Sequence, residues 1–153
     1  MNSFHARLPC SSKSDRLPGG SNALKVAIEL AKKIRAKLIL VGVIDNRLYT
    51  GHAMLAEDSP NQLAEPVEDY LMQVTGAYLA YAARLCGHGG VKPEIVIRKG
   101  HPVEEILKEA RRSKADLLVM GSHGKSGIGS RMGSVAYGVF HGESRVPVRV
   151  VRR

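Results

Sequence analysis

A glycine-rich segment near the C-terminus has the residue types and spacing to hold an anion. It runs from Gly121 to Ser134 with the sequence GSHGKSGIGSRMGS, directly after an apolar run that begins at Asp116 and ends at Met120. Glycines allow positive φ and bring bare backbone N–H groups close to an anion. A short helix predicted to begin at Ser134 would direct its positive end into the same space. The segment is therefore predicted to bind the phosphates of a nucleotide.

Three side chains of this segment suit the same chemistry. His123 could donate a hydrogen bond to a phosphate, or it could simply fill the turn. Lys125 and Arg131 could neutralise phosphate charge, or they could be solvated cations of a surface loop. We include His123 and Lys125 among the predicted binding residues.

Two well-known phosphate motifs do not fit the segment. A Walker A loop ending at Lys125 and Ser126 would need its first glycine where Val119 stands. A dinucleotide fingerprint beginning at Gly127 would need its third glycine where Met132 stands. The glycine spacing of this segment is therefore that of neither motif.

Apolar periodicity predicts the elements that position this loop. Helices are predicted at 21–34, 63–86 and 134–141, with a further helix beginning at Pro102, and strands at 37–44, 94–98, 116–120 and 146–151. The apolar line predicted for the long helix is Val67, Leu71, Val74, Tyr78, Tyr81 and Leu85. Alternating strands and helices predict an α/β fold, an open parallel sheet with helices on both faces. We expect five strands in the order 3-2-1-4-5.

Residues 1–20 are predicted to form an irregular N-terminal segment with a degenerate first strand. Strand character there is confined to the stretch from Phe4 to Pro9, and the residues from Leu17 to Gly20 are predicted to form a turn. The domain is predicted to span residues 21–153.

Bulk properties restrict the function classes. The net charge of +9 favours anionic partners, but the basic residues are dispersed or lie at helix ends, and aromatic residues are scarce. Nucleic acid is therefore not an expected partner. No apolar run reaches the roughly 18 residues of a membrane span, so we expect a cytoplasmic protein with no membrane contact. Cys10 and Cys86 are expected to be reduced thiols, and no metal-ligand spacing is present.

The glycine segment resembles the signature of nucleotide-binding universal stress proteins, in which Gly, two residues, Gly, nine residues and Gly precede Ser or Thr. Gly121, Gly124, Gly133 and Ser134 fit that signature, with eight residues instead of nine before Gly133. Similarity to the family extends to its first helix and second strand at 21–45, its third helix and fourth strand at 99–124, and its last strand at 146–151. The resemblance covers residues 21–153.

The resemblance implies a flavodoxin-like sheet and a homodimer paired through the last strand, from Val146 to Val151. It implies that ATP, accompanied by Mg²⁺, binds with its phosphates on the three glycines and Ser134. It also implies that Val43, at the end of the second strand, lies against the adenine.

The chain departs from the family where the nucleoside would be held. The family has Pro-x-Asp-Gly-Ser after its first strand, and this chain has Leu17-Pro18-Gly19-Gly20-Ser21. The aspartate that contacts the nucleoside is therefore missing, and selectivity among nucleosides is expected to be poor.

Two functional hypotheses follow from these residues. The first is an ATP-binding regulatory homodimer that acts in stress response on an unknown protein partner. The alternative is a dimeric interaction module whose phosphate loop is vestigial. Catalysis is not expected, beyond a very slow ATPase, because the sequence offers no nucleophile–base pair and no paired carboxylates near the loop.

Overall fold

Strands and helices alternate along the part of the chain that the computed structural model describes, which is residues 3–7, 21–46, 60–122, 132–142 and 145–152. The strands are β1 (Ser3–Arg7), β2 (Lys37–Ile44), β3 (Glu94–Lys99), β4 (Leu117–Gly121) and β5 (Val148–Val151). The helices are α1 (Ser21–Ile34), α2 (Pro60–His88), α3 (Pro102–Arg112) and α4 (Ser134–His141).

All five strands form one parallel sheet in the order β3-β2-β1-β4-β5. β1 is the central strand, because Arg7 lies opposite Val41 on one side and Met120 on the other. Parallel strands end at the same edge of a sheet, which we call the carboxyl edge. The predicted α/β class with parallel strands is confirmed.

β1 shows why the sequence of a central strand can be misleading. Its five residues, Ser3–Arg7, lie within the segment for which the sequence predicted only a short or irregular strand. A central strand is hydrogen-bonded on both sides, so its neighbours β2 and β4 supply the order that its own composition does not indicate.

Two apolar cores cover the two faces of the sheet. Leu38 and Leu40 of β2 face α1 and α2, whereas Ile39 and Val41 face α3 and α4. This alternation follows from the two-residue period of a strand. Because both faces are covered, β2 is a nearly continuous apolar run.

The buried face of α2 agrees with the predicted apolar line only in part, since Tyr78 and Leu85 pack against the core. Val67 is 43% exposed and Tyr81 39% exposed, although both belonged to the predicted apolar line. The residues of α2 buried against the sheet are Thr75, Leu79, Ala82 and Cys86.

Close packing against β2 explains this choice of face. A Cβ added to Gly42 would lie 2.8 Å from Thr75 Cγ2 and 2.9 Å from Leu79 Cδ1. α2 therefore packs a face of small and medium side chains against a glycine of β2. Tyr70 and Tyr81 are exposed, whereas Tyr78 is partly buried against the core. Hydrophobicity alone does not identify such a face.

β5 begins two residues later than predicted, at Val148 rather than Val146. Pro147 has no N–H and so cannot donate to the ladder, although its carbonyl accepts from Leu118 N at 2.9 Å. None of the helices in the described part of the chain combines the length and apolar character needed to traverse a bilayer.

Candidate functional site

The two described ends of the glycine-rich segment are joined at the carboxyl edge. Gly133 N donates to Ser122 O at 2.7 Å, which brings the residue before α4 against the residue after β4. Ser122 N donates in turn to Val151 O at 2.9 Å, so the junction is anchored to β5. The end of β4 at Gly121 and the start of α4 at Ser134 are therefore adjacent.

The N-terminus of α4 suits an anion. Gly133 is its N-cap and supplies no side chain to the first N–H groups, which have no partners within the helix. The first turn contains no acidic residue that would offset the helix dipole, and Ser134 is exposed. α3 differs, because Glu104 and Glu105 occupy its own first turn.

Val43 lies at the same edge, near the end of β2. Its side chain is 6% exposed and packs in the core between the sheet and the helices α3 and α4. β1 separates β2 from β4, so strand spacing sets Val43 and Gly121 roughly 10 Å apart. This separation suits the two ends of a nucleotide.

The described structure thus brings four of the predicted binding residues to one edge of the sheet: Val43, Gly121, Gly133 and Ser134. The predictions for His123, Gly124 and Lys125 fall outside the described residues. The same is true of residues 17–20, where the family's aspartate would stand.

His101 is a polar group at this edge that was not among the binding residues predicted from the sequence. Its imidazole Nδ1 is buried and has no hydrogen-bond partner among the residues that the structure describes. His101 follows Gly100, whose φ of 139° is easily reached only by glycine and whose N–H donates to Ile44 O at 3.0 Å. Its position between a strand end and the helix that starts at Pro102 is the signal that could have identified it.

A half-buried ion pair supports this part of the edge. Arg98 Nε and Nη2 donate to Glu109 Oε2 at 2.7 Å and 2.6 Å, and the Glu109 side chain is 6% exposed. Arg98 lies opposite Val43 in the sheet, and Glu109 lies on α3. The pair therefore fixes α3 to β3 beside the end of β2.

Metal binding by protein side chains alone is not supported in the described ranges. They contain no group of three or more His, Cys, Asp or Glu side chains that could hold an ion.

Comparisons with known proteins agree with this architecture. Residues 15–152 match the Universal stress protein family. Universal stress protein MJ0531 of Methanocaldococcus jannaschii is 32% identical over 132 residues, which are 86% of this chain and 74% of that protein. Universal stress protein YxiE of Bacillus subtilis is 30% identical over 138 residues, covering 86% of this chain and 90% of its own length.

Solved structures extend the similarity to the fold. MJ0577 of Methanocaldococcus jannaschii superposes with a TM-score of 0.80 at 25% identity, over 99% of this chain and 96% of that chain. A family protein from Arabidopsis thaliana with AMP bound has a TM-score of 0.69 at 19% identity, over 100% and 92%. A universal stress protein in complex with cAMP has a TM-score of 0.58 at 22% identity, over 99% and 96%.

Proposed function

The chain belongs to the universal stress protein family, and from that premise we propose that it is a cytoplasmic regulatory protein that binds a nucleotide such as ATP. In this proposal nucleotide occupancy controls an unidentified protein partner during stress. Binding, rather than catalysis, is the activity.

One observation carries the proposal, the hydrogen bond from Gly133 N to Ser122 O at the carboxyl edge. This hydrogen bond joins the end of β4 to the start of α4, although this chain has one residue fewer between Gly124 and Gly133 than the family signature. In open parallel sheets, ligands bind outside the carboxyl ends of the strands, and phosphates favour helix N-termini. The Ser134 end of α4 therefore suits the phosphates.

The base and ribose are proposed to lie towards β2 and β3. Val43 would contact the base, and the buried Nδ1 of His101 offers a hydrogen-bonding group that needs a partner. The structures of family members with AMP and cAMP support an adenine nucleotide as the ligand class. Mg²⁺ would accompany ATP through its phosphates.

The alternative function is a dimeric interaction module with a vestigial phosphate loop. Two departures from the family signature favour it: glycine stands where the aspartate is expected, and eight residues separate Gly124 from Gly133. Both functions share the proposed homodimer through β5, and they differ in whether a nucleotide binds.

Native mass spectrometry of protein purified without added nucleotide tests the proposal. The expected spectrum contains an adduct with the mass of a nucleotide. Gly124→Val should lack that adduct, because a β-branched side chain would enter the phosphate path and resist positive φ. Gly87→Ala is the matched control, since a Cβ there meets nothing within 4 Å. Wild-type protein without an adduct, even after incubation with millimolar ATP, would favour the interaction module.

A further inference from the structure

An apolar groove lies between the C-terminal half of α2 and the start of β3, at the edge of the sheet opposite the carboxyl edge. Its volume is about 590 Å³. The groove is open to solvent, and Ile95 in its wall is 43% exposed. The apolar lining comes from both elements: Ala80, Ala83, Val91, Pro93 and Ile95.

Two cations border this groove, and no acid in the described ranges pairs with either of them. Arg84 and Lys92 line it, both are exposed, and neither forms an ion pair with any described residue. Arg84 lies over the ring of Tyr81, 5.6 Å from its centroid, which orients the guanidinium beside the apolar surface. Glu94, the nearest acid along the chain, is paired with Lys37 at 2.5 Å. The groove therefore presents net positive charge.

β3 adds a row of backbone groups to the same surface. Among the described strands it pairs with β2 alone, so β3 is the outermost strand on this side of the sheet and its other side is unpaired. Gly100 N donates to Ile44 O, which shows that its N–H faces β2. Backbone direction alternates along a strand, so the N–H and C=O groups of Ile95 and Ile97 point away from β2. An exposed edge of this kind can pair with another strand.

We propose that this groove is a docking site for an extended, acidic segment of a partner protein. The segment adds to the edge of β3 as a further strand. Apolar side chains on one face enter the groove beside Ile95, and carboxylates reach Arg84 and Lys92. Strand addition gains affinity from the main chain and specificity from alternate side chains.

This occupant matches three independent features of the surface. Its backbone satisfies the outward groups of β3, its apolar face covers the groove, and its charge complements the two cations. The site lies at the opposite edge of the sheet from the glycine-rich segment. The inference therefore stands whether or not a nucleotide binds.

A labelled ten-residue peptide of alternating Val and Glu is the probe, and fluorescence anisotropy is the measurement. We expect saturable binding that is at least tenfold weaker for the Val–Lys counterpart. The double variant R84E/K92E should raise the Kd at least tenfold. K25E/R112E, which makes the same charge change at exposed residues of α1 and α3, should leave the Kd within twofold. Equal effects of the two double variants would overturn the proposal, because they would indicate attraction by net charge alone.

Variants of the β3 backbone distinguish strand addition from binding through side chains alone. Ile95→Pro removes an outward N–H without removing a bond to β2, whereas Ile95→Ala keeps that N–H and removes the side chain. We expect Ile95→Pro to weaken binding at least fivefold more than Ile95→Ala. A probe N-methylated at alternate residues should lose binding to the wild type, which makes the test independent of any folding defect. Undiminished binding of that probe would overturn strand addition.

Anionic vesicles test a different occupant. Any binding of phosphatidylserine–phosphatidylcholine vesicles should be weakened to the same extent by R84E/K92E and by K25E/R112E, because both double variants lower the net charge equally. Vesicle binding that depends on Arg84 and Lys92, with no binding of the Val–Glu peptide, would overturn the proposal in favour of a membrane surface.

Discussion

Glu109 is an acid whose side chain is almost entirely buried and is paired with Arg98. The two hydrogen bonds from Arg98 to a single carboxylate oxygen join β3 to α3 next to the predicted base site. A buried charge is costly to leave unpaired, whereas an exposed pair contributes little. Glu109 is therefore expected to contribute more to stability than an exposed glutamate in an ion pair would.

Glu109→Leu should lower the free energy of unfolding by about 2 kcal/mol, because it leaves the Arg98 guanidinium without its partner. The loss is moderate since the Arg98 side chain is 31% exposed and retains some water. Urea unfolding followed by circular dichroism measures it. Glu104→Leu on the same helix is the control, because its carboxylate is exposed and lies 3.9 Å from Lys108. A loss no larger than that of the control would refute the structural role of the Arg98–Glu109 pair.

The thiol of Cys86 offers a second test at the residue scale. Burial raises the pKa of Cys86 to about 11, and the thiolate is the reactive form. In Cys10→Ser protein, Cys86 should therefore react very slowly with a disulfide reagent at pH 8, and rapidly once urea unfolds the chain. Fast reaction in the native state would show that α2 does not cover this thiol as the structure indicates.

Residue types and spacing predicted part of the candidate site. They indicated Gly121, Gly133 and Ser134, because glycine spacing and strand ends are visible in the sequence, and the family resemblance added Val43. His101 could have been identified from its position between a strand end and the helix that begins at Pro102. The Arg98–Glu109 pair could not be predicted, because it depends on the packing of α3 on β3, which no local pattern specifies.

At the scale of elements, the contact between α2 and β2 shows where local patterns failed. The periodicity of α2 indicated a helix, but only part of its predicted apolar line is buried: Tyr78 and Leu85 pack against the core, whereas Val67 and Tyr81 are exposed. Gly42 permits a close approach, and Thr75 and Leu79 fill it. The exposed Tyr81 is left beside the groove of β3, where its ring contacts Arg84.

Gly42→Ala should therefore destabilise the protein by about 1–3 kcal/mol, since its Cβ would meet Thr75 and Leu79 at less than 3 Å. Gly76→Ala is the matched control, because it lies in α2 with nothing within 4 Å of the added Cβ. That substitution should stabilise the helix by up to about 1 kcal/mol. Thermal unfolding of both variants gives the comparison. If Gly42→Ala were neutral, the close packing of α2 on β2 would be wrong.

At the scale of the whole molecule, the position of β5 determines how two copies could associate. β5 is an edge strand that pairs with β4 alone among the described strands. Pro147 O accepts from Leu118 of β4, and Val151 O accepts from Ser122. The N–H and C=O groups of Val148 and Val150 therefore point away from β4.

The fold class and the order of elements along the chain were predictable from strand–helix alternation. The start of β5 was not, because a proline at its border was counted as part of the apolar run.

We expect a homodimer through antiparallel pairing of β5. Val150→Pro should produce a monomer in light scattering at micromolar concentration, because it removes an outward N–H while sparing the ladder to β4. Val150→Thr keeps that N–H and should remain dimeric. Arg149 and Arg152 would approach their counterparts across the two-fold axis, so added salt should tighten the dimer. A wild-type monomer at physiological salt would exclude this assembly.

Equilibrium titration with labelled nucleotides tests the central claim, that the carboxyl edge holds a nucleotide by its phosphates. The account predicts that ATP binds more tightly than adenosine, because the contacts come from backbone N–H groups and the start of α4. ATP and GTP should bind within about tenfold of each other, a difference of about 1.4 kcal/mol, because the nucleoside-binding aspartate is missing. An ATP affinity far above that for GTP would show that another residue has replaced that aspartate. Failure of both ATP and GTP to bind at millimolar concentration would contradict the central claim.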